Sequence, residues 1–109
     1  MSNSLLTKKC IPCHGKVPSL NPAQAKKIAE ELPGWQLSER DLAKNFEFKN
    51  FVIAMKFVNK VAELAESEAH HPDISIQYNK VKILTWTHAA NGLTENDFIL
   101  AAKIDALEK

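Results

Sequence analysis

Apolar residues along this chain switch between two spacings. Three- and four-residue steps suit one face of a helix, and alternate-residue steps suit a strand. Residues 1–20 show neither; punctuated by Pro12, Gly15 and Pro18, they are expected to form an irregular arm. Asn21 before Pro22 is a favoured helix start, Ile28 and Leu32 supply that helix's stripe, and Pro33-Gly34 ends it. Trp35 to Leu37 reads as a short strand and Leu42 to Phe48 as a second, with Leu42, Phe46 and Phe48 on one face. Ser38 to Asp41 would be the polar turn between them. Asn50 opens a longer helix whose apolar face carries Phe51, Met55, Val58, Val61, Ala62 and Ala65. It must stop near His70, because the residue before Pro72 disfavours the α region. Ile74, Ile76 and Tyr78 alternate with polar neighbours, Asn79-Lys80 makes a two-residue turn, and Val81 to Thr87 returns as the paired strand. Thr94 with Asp97 resembles a capping box opening a last helix that carries Phe98, Ala101, Ala102 and Ile104.

The order is helix, two strands, helix, two strands, helix. Short turns join each strand pair, so the expected fold is α+β, a four-stranded antiparallel sheet with three helices packed on one face. Residues 21–109 would form a single domain behind the arm. The outer strands would be edges, and pairing with a second copy is one way to cover them.

Composition narrows the function classes. The chain has 109 residues, 45% of them hydrophobic, which suits one domain with a real core. Its 14 basic and 13 acidic residues leave a formal charge of +1, too small an excess to make nucleic acid the main ligand. No apolar run approaches the ~18 residues of a membrane span, and Met1 to Lys9 lacks an apolar signal core, so a soluble, cytoplasmic chain without a membrane partner is expected. The two cysteines, Cys10 and Cys13, stand in Cys-Ile-Pro-Cys-His-Gly. Together with His14 they could supply three metal ligands, but no second paired motif follows, so a reduced pair is the simplest reading, with zinc or a redox role as alternatives.

Candidate chemistry concentrates in His70, His71 and His88. Imidazole, with an unperturbed pKa near ~6.5, can give or take a proton at neutral pH, and it can bind a metal. His70 and His71 fall at a helix C-terminus, where unpaired carbonyls and the dipole favour a cationic ring. His88 falls just past a strand. Three readings are open on the residues alone: carbonyl capping, a zinc site, and proton transfer without metal. Adjacent ligands lack the separation of a helical His-x-x-x-His pair, and no glycine-rich phosphate loop or serine elbow is present.

The run Glu66-Ser-Glu-Ala-His70-His71-Pro72, followed by Tyr78, His88 and Asp97, resembles the signature of the pterin-4a-carbinolamine dehydratase family. The segment THAANGLTENDFILAAKIDAL, the Pro-Gly-Trp around Trp35 and the N-terminal Cys-x-Pro-Cys are similar to bacterial members. The resemblance implies a dehydratase that removes water from 4a-hydroxytetrahydropterin to give quinonoid dihydropterin, in tetrahydrobiopterin recycling for an aromatic amino acid hydroxylase. It implies neither metal nor organic cofactor.

The resemblance also implies roles. His70 and His88 would be the acid–base residues and His71 would hold the pterin. Pro72, Thr87, Ala89 and Ala90 would border it. Trp35 would wall the cleft or, as large aromatics more often do, sit in the core. Glu66 would orient a histidine or merely be solvated, and Asp97 is explained locally as a helix cap. Ala69 and Ala89 stand where some relatives carry an acid, so any tuning of the imidazoles by those carboxylates is absent here. Animal members also bind a transcription factor's dimerisation helix, which makes an interaction module the competing function. A face bearing Phe51, Met55 and Val58 would serve it, unless those residues are ordinary core. The family pattern further implies a homodimer through a shared sheet or a homotetramer of such dimers.

Overall fold

The computed structural model describes residues 19–108. All of the expected N-terminal arm except Ser19 and Leu20, including Cys10, Cys13 and His14, lies outside the described residues. Helix α1 (Pro22–Ala29) starts where Asn21 and Gln24 exchange side-chain-to-backbone bonds of 2.8 and 3.0 Å, a full capping box. It ends before Pro33, and the chain continues in tight turns through Gly34, whose φ of +96° suits a residue without a side chain. Strands β1 (Gln36–Leu37) and β2 (Leu42–Glu47) follow, then α2 (Phe51–Glu68), β3 (Asp73–Gln77), β4 (Lys80–Thr85), one 3-10 turn at His88–Ala90, and α3 (Glu95–Glu108). The sheet is antiparallel throughout in the order β1-β2-β4-β3. Three helices and four strands thus make the α+β domain that the pattern predicts.

Strand register separates a covered from an open face. Leu42 pairs with Thr85, Lys44 with Ile83 and Phe46 with Val81, and Ile74 and Ile76 extend the same rows through β3. Leu42, Phe46, Val81, Ile83 and Thr85 are buried on that side, whereas Asn45, Glu47, Lys80 and Lys82 face outward. Against the covered face pack Ala54, Phe57, Val58, Val61 and Ala65 of α2 and most of α3. Phe46 joins Trp35 edge-on at 6.2 Å and Phe57 at 4.8 Å between ring centroids. Trp35 is therefore a core residue, fixed by its indole N–H, which donates to both Asp105 carboxylate oxygens at 3.1 Å.

Several boundaries differ from those expected. Trp35 precedes β1 rather than opening it, and Phe48 lies one residue past β2. The second hairpin turns at Tyr78-Asn79, not Asn79-Lys80, with Tyr78 at φ +53°. Asn79 is held there by Phe48, whose carbonyl accepts from the Asn79 carboxamide and whose N–H donates to the Asn79 carbonyl. Strand β4 ends at Thr85 instead of Thr87, because its partner β2 begins opposite Thr85 and offers nothing further to pair with. In α2 the expected apolar face is rotated at its start: Phe51 and Ala62 are exposed, Met55 is half-buried, and Ala54 and Phe57 take the core positions. No helix among the described residues is long and apolar enough to cross a membrane.

Candidate active site

Helix α2 ends at Glu68, three residues before the His71-Pro72 junction. Ala69 takes the left-handed conformation at φ +54°, and the N–H of His70 donates to the carbonyl of Ala65 at 3.2 Å, closing the helix as a Schellman turn. That turn sends His70 inward and leaves His71 outside. The buried His70 places Nε2 at 2.7 Å from Asp97 Oδ1.

Asp97, on the first turn of α3, has no solvent exposure. Such a carboxylate is tolerable only if donors surround it. Besides His70, Thr85 Oγ1 donates to Oδ1 at 2.6 Å, Thr87 Oγ1 donates to Oδ2 at 2.8 Å, and the Thr94 N–H donates to Oδ2 at 3.0 Å. The last of these is the expected cap, but only half of a capping box forms. The Thr94 hydroxyl goes to Thr87 Oγ1, 2.8 Å away, rather than to the helix backbone. Thr87 has spent its single proton on Asp97, so Thr94 is the donor there.

Because an ionised carboxylate only accepts, His70 Nε2 carries the proton in this contact. In a neutral ring the lone pair is then on Nδ1. A buried carboxylate backing one ring nitrogen fixes the tautomer and stabilises the imidazolium that forms when the other takes a proton.

His71 is more than half exposed and lies 2.6 Å from Glu66 Oε2, itself exposed, so Glu66 does meet a histidine, though on the outside. His88 is exposed and begins the 3-10 turn beyond β4; its ring rests on Trp86, with centroids 3.9 Å apart and planes 38° apart. The turn is closed by reciprocal backbone bonds between Thr87 and Gly92, 2.8 and 3.3 Å. Thr87 thus ties the two regions together: its hydroxyl reaches the carboxylate that holds His70, and its backbone anchors the turn that carries His88. Pro72 and Ala90 are half-buried, and Ala89 lies in the same turn. Thr87 is buried, and its hydroxyl, N–H and carbonyl are all engaged internally, so it shapes the site rather than offering a free polar group to a ligand.

No described group of three His, Cys, Asp or Glu side chains is placed to hold a metal ion. Three participants escaped the sequence reading: Thr85, Trp86 and the Asp97 contact with His70. Thr85 and Thr87, two positions apart at the end of an apolar strand, were the available signal, since alternate hydroxyls on a core-facing side call for a buried acceptor.

Comparison with known proteins gives the family. The family model for pterin 4 alpha carbinolamine dehydratase matches residues 18–107. A candidate pterin-4-alpha-carbinolamine dehydratase of Rubrobacter xylanophilus is 45% identical over 106 residues, covering 96% of this chain and 99% of its own. One of Rickettsia canadensis is 50% identical over 104 residues, covering 94% and 95%. Among solved structures, a transcriptional coactivator/pterin dehydratase from Brucella melitensis superposes with a TM-score of 0.80 at 32% identity, over 84% of this chain and 99% of that one. A pterin dehydratase-like protein, described as a RuBisCO assembly factor in the alpha-carboxysome, gives 0.57 at 27% identity over 67% and 84%. The chain belongs to the pterin-4a-carbinolamine dehydratase family.

Proposed function

We propose that this protein dehydrates 4a-hydroxytetrahydropterin to quinonoid dihydropterin by histidine general acid–base catalysis. The reaction breaks the C4a–O bond. The hydroxyl takes a proton and leaves as water, the N5 lone pair forms the new C=N bond, and the N5 proton passes to a base. Two proton transfers, one at the C4a hydroxyl and one at the adjacent N5, are all it needs, and each general acid or base can contribute ~10²–10⁴-fold.

The observation that carries this reading is the Asp97–His70 pair beside the His88 turn. His70, with Nε2 held by a buried carboxylate, suits the base that accepts the N5 proton on Nδ1. His88, exposed to solvent and able to reload from it, suits the acid that protonates the leaving hydroxyl. His71, Pro72, Thr87, Ala89 and Ala90 would hold and border the pterin. Turnover of this kind fits recycling of the pterin used by an aromatic amino acid hydroxylase. A homo-oligomer fits the outer edge of β3, which pairs with β4 on one side only and exposes Ile76, with Tyr78 exposed in the turn that follows.

A second reading, an interaction module with little turnover, is favoured by one observation. Phe51, Val52 and Ile53 at the start of α2 are 47%, 62% and 39% exposed, and the solved relatives are described as a coactivator and an assembly factor. A coupled hydroxylase assay that follows carbinolamine decay separates the two. Dehydration accelerated by the protein supports the enzyme; decay at the uncatalysed rate supports the module.

A further inference from the structure

Arg40 lies in the turn between β1 and β2, far in sequence from any histidine. Its guanidinium nevertheless meets both ends of the segment that carries His88. One N–H donates to Asn91 Oδ1 at 3.1 Å, and the guanidinium carbon stands 6.0 Å from the centroid of the Trp86 ring. The same indole is the surface on which the His88 imidazole rests, at 3.9 Å.

The backbone of this segment is already shaped by the Thr87–Gly92 bridge and by Asn91, which accepts φ +51° as asparagine readily does. What that backbone does not fix is the orientation of the two aromatic side chains, because His88 is exposed and Trp86 only half-buried. A hollow of about 320 Å³ lies between Ser38, Glu39 and Arg40 on one side and Asn91, Gly92 and Leu93 on the other. Arg40 spans that gap with a planar fork that can hydrogen-bond and face a ring at once, which an ammonium cannot do equally well.

We propose that Arg40 is a positioning residue that holds Trp86, and through it the His88 imidazole, in one orientation at the reaction site. The inference rests on His88 being a proton-transfer residue, but the orientation itself can be read without turnover. An imidazole tilted against an indole at 3.9 Å lies in its ring current, so the His88 Cε1–H resonance is displaced in the wild-type protein. Removing the guanidinium releases the indole, and the histidine with it.

The test compares wild type with Arg40→Ala, Arg40→Lys and Asn91→Asp by proton NMR of the histidine ring signals, assigned with His88→Gln. Arg40→Ala is expected to bring the His88 signal back toward the position of an unstacked imidazole while leaving His70, tied to Asp97, unmoved. Arg40→Lys should give a partial return. Asn91→Asp, which keeps an acceptor and strengthens it, should retain the displacement. With pterin substrate, Arg40→Ala should lower kcat about three- to tenfold, consistent with a surface cation–π contact and one hydrogen bond. An unmoved His88 signal in Arg40→Ala overturns the positioning role. If His88→Gln itself leaves dehydration at the wild-type rate, the catalytic reading of His88 fails instead, and the NMR comparison still decides whether Arg40 orients the ring.

Discussion

His70 Nε2 and Asp97 Oδ1 sit 2.7 Å apart, one just past the C-terminus of α2 and the other on the first turn of α3, both shielded from solvent. The contact joins two helices, sets the proton on one nitrogen of the ring, and makes Asp97 more than a cap.

Asp97→Asn tests that wider role. The carboxylate receives bonds from His70, Thr85, Thr87 and Thr94, and a carboxamide places an N–H₂ against some of those donors. Loss of a cap alone costs about 1 kcal/mol. Buried donors left facing a donor should raise the loss in unfolding free energy to about 2–4 kcal/mol. Turnover should fall at least ~10²-fold as the His70 tautomer loses its anchor. Urea unfolding and the dehydration assay read the two effects; a loss near 1 kcal/mol with full turnover would reduce Asp97 to a cap.

Ala69 offers a gain rather than a loss. Its φ of +54° is a conformation in which an L side chain costs roughly 1–2 kcal/mol and glycine costs none. Ala69→Gly should stabilise the protein by about 1 kcal/mol, after allowing for the freer unfolded chain. A melting temperature that stays put or falls would mean that the Schellman turn is not what ends α2.

Glu68 and Lys103 form a second tie between α2 and α3, at 2.6 Å, with the carboxylate side chain only 5% exposed and the ammonium 16%. Lys103→Met removes one charge-assisted bond from a buried carboxylate, so it should cost about 2 kcal/mol. The double change Glu68→Gln with Lys103→Met should recover much of it. A single variant as stable as wild type would show that Glu68 is satisfied without Lys103.

His71 is expected to matter for binding and little for stability. Its contact with Glu66 is between side chains 60% and 78% exposed, and pairs of that kind contribute below about 0.5 kcal/mol. His71→Gln should therefore melt like wild type while raising KM about three- to tenfold, with kcat nearly held. A large fall in kcat at unchanged KM would move His71 from holding the pterin to transferring its protons.

What the sequence made legible was local. Asn21 and Asn50 each cap a helix through a side chain whose partner lies three residues on, and alternation marks β2 and β4 because one sheet face is buried. The hairpin turn slid by one residue because Asn79 is held by Phe48, a contact 31 residues away that no local pattern contains. Helix α3 is buried on nearly all sides up to Ala102, so its periodicity says little about which neighbour each residue meets. The site divides in the same way. The histidines stood out by chemistry and resemblance, and their placement at element ends followed from Pro72 and the strand pattern. Asp97 gave only its local half, since the helix N-terminus explained it fully without revealing a donor 27 residues earlier. Arg40 and Trp86 carried no signal at all, because both act through pairings that exist only once β1–β2 and the His88 turn are brought together.

His70 and His88 are proposed to move the two protons of carbinolamine dehydration from separate elements of one fold. The decisive measurement is the decay rate of 4a-hydroxytetrahydropterin with His70→Ala, His88→Ala and the double variant, each checked for an unchanged circular dichroism spectrum. Each single variant is predicted to lower catalysed dehydration at least ~10²-fold, with the double variant close to the uncatalysed rate. Folded single variants that turn over like wild type would contradict it.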